Sequence, residues 1–166
     1  MNWEAISAIG QIVGAIAVVV SLIYLATEVR RNTRASRLAA MHSMSDSFNR
    51  WIQQIVEHPH LTEVYYRGIH DFESLQGPDL VRFSMIMTQA FRNSEENFYL
   101  QMEGHVGRSI WRGWEKTIHD VMGYPGIQAW WATRSHLFSE EFAKLINQLQ
   151  HTAKHPRWYR EPMEDE

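Results

Sequence analysis

The segment from Ile6 to Ala26 reads ISAIGQIVGAIAVVVSLIYLA and contains no charged side chain. An α-helix rises about 1.5 Å per residue, so this segment would extend over about 31 Å, the thickness of the hydrocarbon core of a bilayer. A helix can cross that core because it satisfies its own backbone hydrogen bonds. The segment therefore predicts a single transmembrane helix near the N-terminus.

The residues that flank the segment predict its orientation. Trp3 and Tyr24 lie near its two ends, where aromatic side chains anchor helices at membrane interfaces. Glu4 is the charged side chain before it, and four arginines follow it: Arg30, Arg31, Arg34 and Arg37. The positive-inside rule places such arginines in the cytoplasm, next to anionic lipid headgroups. We therefore expect an inner-membrane protein with its N-terminus outside and its C-terminal domain cytoplasmic.

Two other interpretations of the segment are weaker. A cleaved signal peptide has a positive region before a shorter apolar core, whereas here no Lys or Arg precedes a long one. A buried helix of a soluble protein is the second alternative, and a core helix this uniformly apolar is unusual in a small chain.

Small side chains recur along one face of the predicted span at spacings of three and four residues. We call this face the small-residue stripe, and its members are Ser7, Gly10, Gly14, Ala17 and Ser21. Small residues let helix backbones approach closely in lipid, and Gln11 beside the stripe is better placed against a partner helix or water than in lipid. The stripe predicts a homo-oligomer, although Gly and Ala are also simply common in membrane spans.

Composition limits the kinds of function open to the rest of the chain. About 140 residues remain after the span, enough for one compact domain, and seven Trp with seven Phe supply large core side chains. The chain has no Cys, which excludes disulfides and thiolate metal sites. Its net charge of −3 lacks the basic balance of a nucleic-acid binder.

Helical periodicity dominates after the span, and no strand-like alternation is present. We predict an all-α fold in which the transmembrane helix (1–28) continues into a cytoplasmic helical bundle (29–154) with a polar tail (155–166). The first helix should run unbroken to Glu57, because neither Gly nor Pro occurs between Ala15 and His58. The later helices are predicted at 61–72, 80–102, 109–122, 127–136 and from the N-cap Ser139 to 153, with Gly104 as a C-cap.

Several short motifs resemble those of a group of uncharacterised bacterial proteins. The opening Met1-Asn2-Trp3-Glu4-Ala5-Ile6, the Tyr24-Leu25-Ala26 segment with the arginines after it, and the stretch from Pro125-Gly126 to Trp130-Trp131 carry the resemblance, which continues through His136-Leu137-Phe138-Ser139 and Phe142. It covers nearly the whole chain. It implies a protein with one membrane span and a small helical cytoplasmic domain, and it implies no catalytic residue.

Motifs for catalysis, metal binding or cofactor binding are absent from the sequence. Glu57-His58-Pro59-His60 straddles a helix end, so its side chains lack the i, i+3 or i+4 spacing that ligands on one helix face need, and we predict no metal site. No zincin, phosphate-loop or dinucleotide motif occurs, and we predict no cofactor. Trp111, Trp114, Trp130 and Trp131 could form an aromatic box for a cation, but their spacing favours core packing.

Glu95 is the candidate buried polar site. It shares a helix face with Phe91, Phe98 and Met102, so it should project into the core, and a buried carboxylate needs a partner. Arg92 lies one turn back on the same helix. The pair predicts a buried ion pair that fixes helix register, and a proton or ligand site is the alternative.

These observations favour a membrane-anchored homo-oligomer with a structural or interaction role. The alternative is an ion-conducting pore in which several copies of the span surround the axis with Gln11 and the small-residue stripe facing it. An enzyme with a site in the bundle is a weaker third interpretation.

Overall fold

The computed structural model describes residues 3–153 and residue 156. These residues form six α-helices and two short 3₁₀ turns, with no strand among them, which confirms the all-α prediction. The helices are α1 (Trp3–Glu57), α2 (Pro59–His70), α3 (Gly77–Met102), α4 (Arg108–Val121), α5 (Pro125–Arg134) and α6 (Glu140–Thr152). The chain divides into two compact units, residues 1–39 and 40–166. The predicted polar tail lies outside the described residues apart from Pro156.

Helix α1 is a single helix of 55 residues, as the absence of Gly and Pro after Ala15 predicts. Its end is set by Pro59, which lacks a backbone N–H and disfavours helical geometry in His58 before it. His58 is accordingly extended, with φ −118° and ψ 98°, and α2 starts directly at Pro59.

Three helices start two or three residues earlier than predicted. Helices α2 and α5 begin at Pro59 and Pro125, and α3 begins at Gly77 with Pro78 after it. Proline suits the first turn of a helix because its φ is already helical and the N–H it lacks would have no partner there. The predicted starts at residues 61, 80 and 127 left these prolines just outside their helices.

The end of α3 follows the predicted Gly104 cap. Gly104 has a φ of +78°, and its N–H donates to the Gln101 carbonyl at 3.0 Å while the His105 N–H donates to the Leu100 carbonyl at 2.9 Å. This is the Schellman pattern, which only a residue tolerant of positive φ closes easily. The turn brings Val106 back against Leu100, beside Ala40 and Met44 of α1. Met102, predicted to point inward, is instead 58% exposed, which corrects that prediction.

The core of residues 40–166 is built from aromatic side chains. Its largest fully buried side chains are Trp130, Trp131, Phe83 and Phe142, and the Trp131 indole N–H is satisfied by the Asn147 side chain at 2.9 Å. The last turns of α1 belong to this core. Phe48, Trp51 and Ile55 pack into it, and the Trp51 indole N–H donates to the Ile86 carbonyl of α3 at 2.9 Å.

Two glycines allow α2 to lie close to its neighbours α5 and α3. A Cβ atom on Gly126 would overlap the Gly68 carbonyl oxygen and lie 2.8 Å from the Ile69 carbonyl carbon, and one on Gly68 would overlap the Phe83 ring. Close contact of α5 with the α2 backbone therefore requires Gly at position 126, and close packing of the Phe83 ring of α3 on α2 requires Gly at position 68.

Candidate functional site

Helix α1 exposes large apolar side chains around its whole circumference between residues 16 and 25. Each successive residue is rotated by about 100°, so consecutive positions cover all sides of the helix. The exposed fractions of these side chains lie between 55% and 60% for the following residues: Ile16, Val18, Val19, Val20, Leu22, Ile23 and Leu25. Such an apolar surface is unfavourable in water.

Much of the small-residue stripe lies open on the same helix. A Cβ atom on Gly14 would contact nothing within 4 Å, and Ser7, Ala17 and Ser21 are exposed, as is the neighbouring Gln11. The surroundings of Gly10 lie outside what the structure describes. The Ser21 hydroxyl donates to the Ala17 carbonyl at 2.9 Å, and a hydroxyl satisfied within its own helix can face lipid at little cost.

The four arginines Arg30, Arg31, Arg34 and Arg37 are all exposed on α1. At about 100° per residue, Arg30, Arg34 and Arg37 fall within about 60° of one another, and Gly14 and Ser21 fall about 160° to 180° from Arg30. If the stripe packs against a second copy, these three guanidinium groups would point away from that contact. They would then face lipid headgroups.

Among the described residues, no helix carries an apolar stretch long enough to cross a bilayer. Part of the predicted span lies outside that description, namely the side chains of residues 5, 6, 8–10 and 13.

Glu95 is 9% exposed, and it joins α3 to the start of α6. Arg92 Nη1 donates to its Oε2 atom at 2.6 Å, and the backbone N–H of Ser139 donates to its Oε1 atom at 2.7 Å. Arg92 also donates to the Leu137 carbonyl at 2.6 Å, and its guanidinium carbon lies 4.6 Å from the centre of the Phe138 ring. These contacts connect two helices that are distant in sequence, through Arg92, Glu95, Leu137, Phe138 and Ser139.

The electrostatics of this connection favour an ionised carboxylate. Burial by itself raises the pKa of Glu95, but the hydrogen bonds from Ser139 and Arg92 outweigh it, so the pKa lies below the ordinary value of 4.5. A carboxylate with both oxygens occupied and a lowered pKa is poorly suited to accept or donate a proton near neutral pH. The geometry therefore supports the register-fixing interpretation of Arg92 and Glu95 over a proton site.

The structure also corrects the role of Ser139. It is the N-cap of α6, as predicted, but its side chain makes no capping hydrogen bond. The contribution of Ser139 is instead its backbone N–H, which the Glu95 carboxylate accepts. A sequence pattern does not reveal which distant side chain will reach the first N–H groups of a helix.

A second polar cluster, absent from our sequence predictions, joins α2 to α3. Asp79 accepts from Arg67 at 2.8 Å and from Arg82 at 3.2 Å, and His60 Nε2 lies 3.2 Å from it. Burial raises the pKa of Asp79, but the two arginines and His60 outweigh that effect, so the pKa lies below its ordinary value. An acidic residue in the first turn of a helix is favoured by the helix dipole, and this was the one available sequence signal.

A cavity opens between α1, α3 and α4, and it is lined mainly by apolar and aromatic side chains. Phe91, Met87 and Ile127 form its buried wall, and Phe48 and Trp114 stand half-buried nearer the surface. Its empty volume is about 580 Å³, a figure that includes solvent at its mouth. Four tryptophans were considered for an aromatic box that binds a cation. Two of them, Trp130 and Trp131, are fully buried in the core, as the prediction of core packing requires.

No arrangement of residues for catalysis emerges from the described part of the chain. It holds no group of three or more His, Cys, Asp or Glu side chains that could bind a metal ion. No protein-family model, curated protein or solved structure matches the chain. The resemblance to a group of bacterial proteins therefore stays a prediction.

Proposed function

We propose that this chain is a membrane-anchored, homo-oligomeric helical protein with a structural or interaction role. In this proposal α1 crosses the inner membrane of a bacterium with its N-terminus outside, and the helical bundle that follows is cytoplasmic. The partners are membrane lipid and further copies of the same chain.

One observation carries the proposal: the apolar side chains of α1 between Ile16 and Leu25 are exposed on every side of the helix. A helix that packs on a protein surface needs an apolar stripe on one side, with polar residues on the other. Lipid, in contrast, surrounds a helix completely. The polar side chains of this segment are Ser21, whose hydroxyl bonds within the helix, and Tyr24, which lies near its end.

Charge placement supports the proposed orientation. The arginine cluster begins four residues after Ala26, which is where a helix that leaves the hydrocarbon core reaches the headgroups. Glu28 and Glu4 are acidic, and acidic residues contribute little to orientation compared with Lys and Arg.

A charge placed in the middle of α1 tests membrane insertion. We expect Val19→Arg to move a substantial share of the protein out of the alkali-resistant membrane fraction, because a central Arg costs several kcal/mol in lipid (about 2.5 to 3.5 on insertion scales). The matched control is Val56→Arg, since Val56 is also exposed, at 69%, but lies in the other unit of the chain. Equal membrane retention of Val19→Arg and the parent would contradict the proposal.

Copy number separates the anchor from the pore alternative. An anchor that associates through the small-residue stripe predicts two or three copies with Gly14 at the contact. A pore predicts five or more copies and a water path along Gln11 and the stripe. Mass determination of the full chain in nanodiscs distinguishes them, and a monomer would contradict both.

A further inference from the structure

The cavity between α1, α3 and α4 has walls suited to an uncharged molecule. None of its lining residues is Asp, Glu, Lys, Arg or His. Its buried side is formed mainly by apolar groups, of which Phe91 and Ile127 are 3% and 0% exposed, and the buried Ser94 hydroxyl there already donates to the Ala90 carbonyl. Burying an ion against such walls would carry a large desolvation penalty without a compensating partner.

Polar groups occur on the more exposed side of the same cavity. Asn93 and Thr117 line it there, and both are only partly buried. An apolar interior with a few polar groups on one side is the usual arrangement of a small-molecule site, in which the apolar body provides affinity and the polar groups fix orientation.

Trp114 supplies an unused hydrogen-bond donor at this place. Its indole nitrogen is buried and has no hydrogen-bond partner among the described residues. Its ring contacts the Phe48 ring edge-on, with the ring centres 5.1 Å apart, and both rings line the cavity. Buried indole N–H groups normally find an acceptor, as those of Trp51 and Trp131 do here.

We propose that this cavity is a binding site for a small, neutral, largely apolar molecule that carries one hydrogen-bond acceptor. The apolar part lies against Phe91, Met87 and Ile127, and the acceptor receives the Trp114 indole N–H after a small rotation of the half-buried ring. The proposal does not depend on membrane insertion.

Cyclopentanone and methylenecyclopentane are suitable probes, since they have nearly the same shape and only the ketone accepts a hydrogen bond. Binding is followed by the indole N–H signals of ¹⁵N-labelled full-length protein in nanodiscs, with each signal assigned by substitution. We expect the Trp51 and Trp114 signals to shift with ketone concentration while the Trp131 signal does not. We also expect the ketone to bind about fivefold more tightly than the alkene, the ratio for one net hydrogen bond.

Three variants separate the site from nonspecific uptake. Ala90→Leu fills the cavity, because Ala90 lines it, and should abolish both titrations. Trp114→Phe should remove the preference for the ketone, whereas Trp130→Phe should keep it. Trp130 is the matched control because its indole nitrogen is also buried without a partner among the described residues, yet it does not line the cavity.

The outcomes decide the proposal in either direction. Absence of saturable shifts in the parent would overturn it, and so would unchanged binding by Ala90→Leu in a protein whose other indole signals show an intact core. Equal affinity for ketone and alkene would overturn the role of Trp114. Loss of the ketone preference in Trp130→Phe as well as Trp114→Phe would assign the effect to general loosening of the core.

Discussion

Removal of the Glu95 carboxylate tests how the bundle holds α3 against α6. Glu95→Ala deletes the acceptor of two charge-assisted hydrogen bonds, from Arg92 at 2.6 Å and from the Ser139 N–H at 2.7 Å. A hydrogen bond to a charged group contributes about 1.5 to 3 kcal/mol, and the Ser139 N–H would be left without its acceptor.

The expected loss is smaller than for a fully buried ion pair. Losing one member of such a pair costs about 3 to 5 kcal/mol because an uncompensated charge stays buried. Here the Arg92 side chain is 50% exposed and keeps its bond to the Leu137 carbonyl, so water can solvate it. We therefore expect Glu95→Ala to lower the free energy of unfolding by about 2.5 kcal/mol.

Guanidinium unfolding of the full chain, followed by tryptophan fluorescence, measures this loss, because most tryptophans lie in the bundle. The control is Glu96→Ala, one residue further along α3, where the side chain is exposed. We expect that control to stay within about 0.5 kcal/mol of the parent. If Glu95→Ala behaved like Glu96→Ala, the connection would not stabilise the fold.

The pH dependence has a defined sign. The pKa of Glu95 is lowered in the folded state. The ionised carboxylate therefore adds to the free energy of unfolding at pH values above the ordinary pKa of 4.5, and this contribution is lost as the pH falls through the pKa of the folded state. The parent should therefore lose more stability than Glu95→Gln as the pH falls from above 4.5 through the folded-state pKa of Glu95. An equal loss in both proteins would place the acid sensitivity elsewhere.

Three further changes have expected outcomes. Gly126→Ala should lower the free energy of unfolding by about 3 kcal/mol or more in denaturant unfolding, since its Cβ would overlap the α2 backbone. The control Gly113→Ala, whose Cβ meets nothing within 4 Å, should stabilise the protein by up to about 1 kcal/mol. Equal effects of the two changes would refute the close approach of α5 to α2. Gly14→Ile should lower the oligomeric state by mass analysis in detergent with the bundle still folded, whereas Ile12→Ala should not, and an unchanged assembly would exclude the stripe. Neutral replacements of the arginine cluster together should weaken the cytoplasmic bias of a C-terminal reporter, and an unchanged bias would show that other features set the topology.

Much of the fold could be predicted from local rules. The unbroken α1, its end before Pro59 and the positive-φ cap at Gly104 all depend on backbone restrictions of single residues, which a sequence states directly. The burial of Glu95 followed from its position on the face of Phe91. Each of these predictions needs information from within a few residues of the chain.

Other features depend on contacts between distant segments. Nothing near Gly126 indicates that α2 would lie against it, and the pairing of Asp79 with Arg67 requires knowing how α2 and α3 pack. Met102 lies in the last turn of α3 and is exposed, although it shares a helix face with the buried Phe91 and Glu95. Helical periodicity predicts which face of a helix a side chain occupies. It does not predict how far along the helix the neighbouring elements extend to cover that face.

Cysteine accessibility in cells tests membrane anchoring most directly, because the chain has no native Cys. Single cysteines would replace Glu4, Val19 and Thr152, all exposed positions on the described chain. With a membrane-impermeant maleimide we expect Glu4→Cys to react in intact spheroplasts, Thr152→Cys to react only after lysis, and Val19→Cys to stay unreactive in both until detergent is added. Rapid labelling of Val19→Cys after lysis without detergent would contradict the account, because that side chain would then lie in water rather than in lipid.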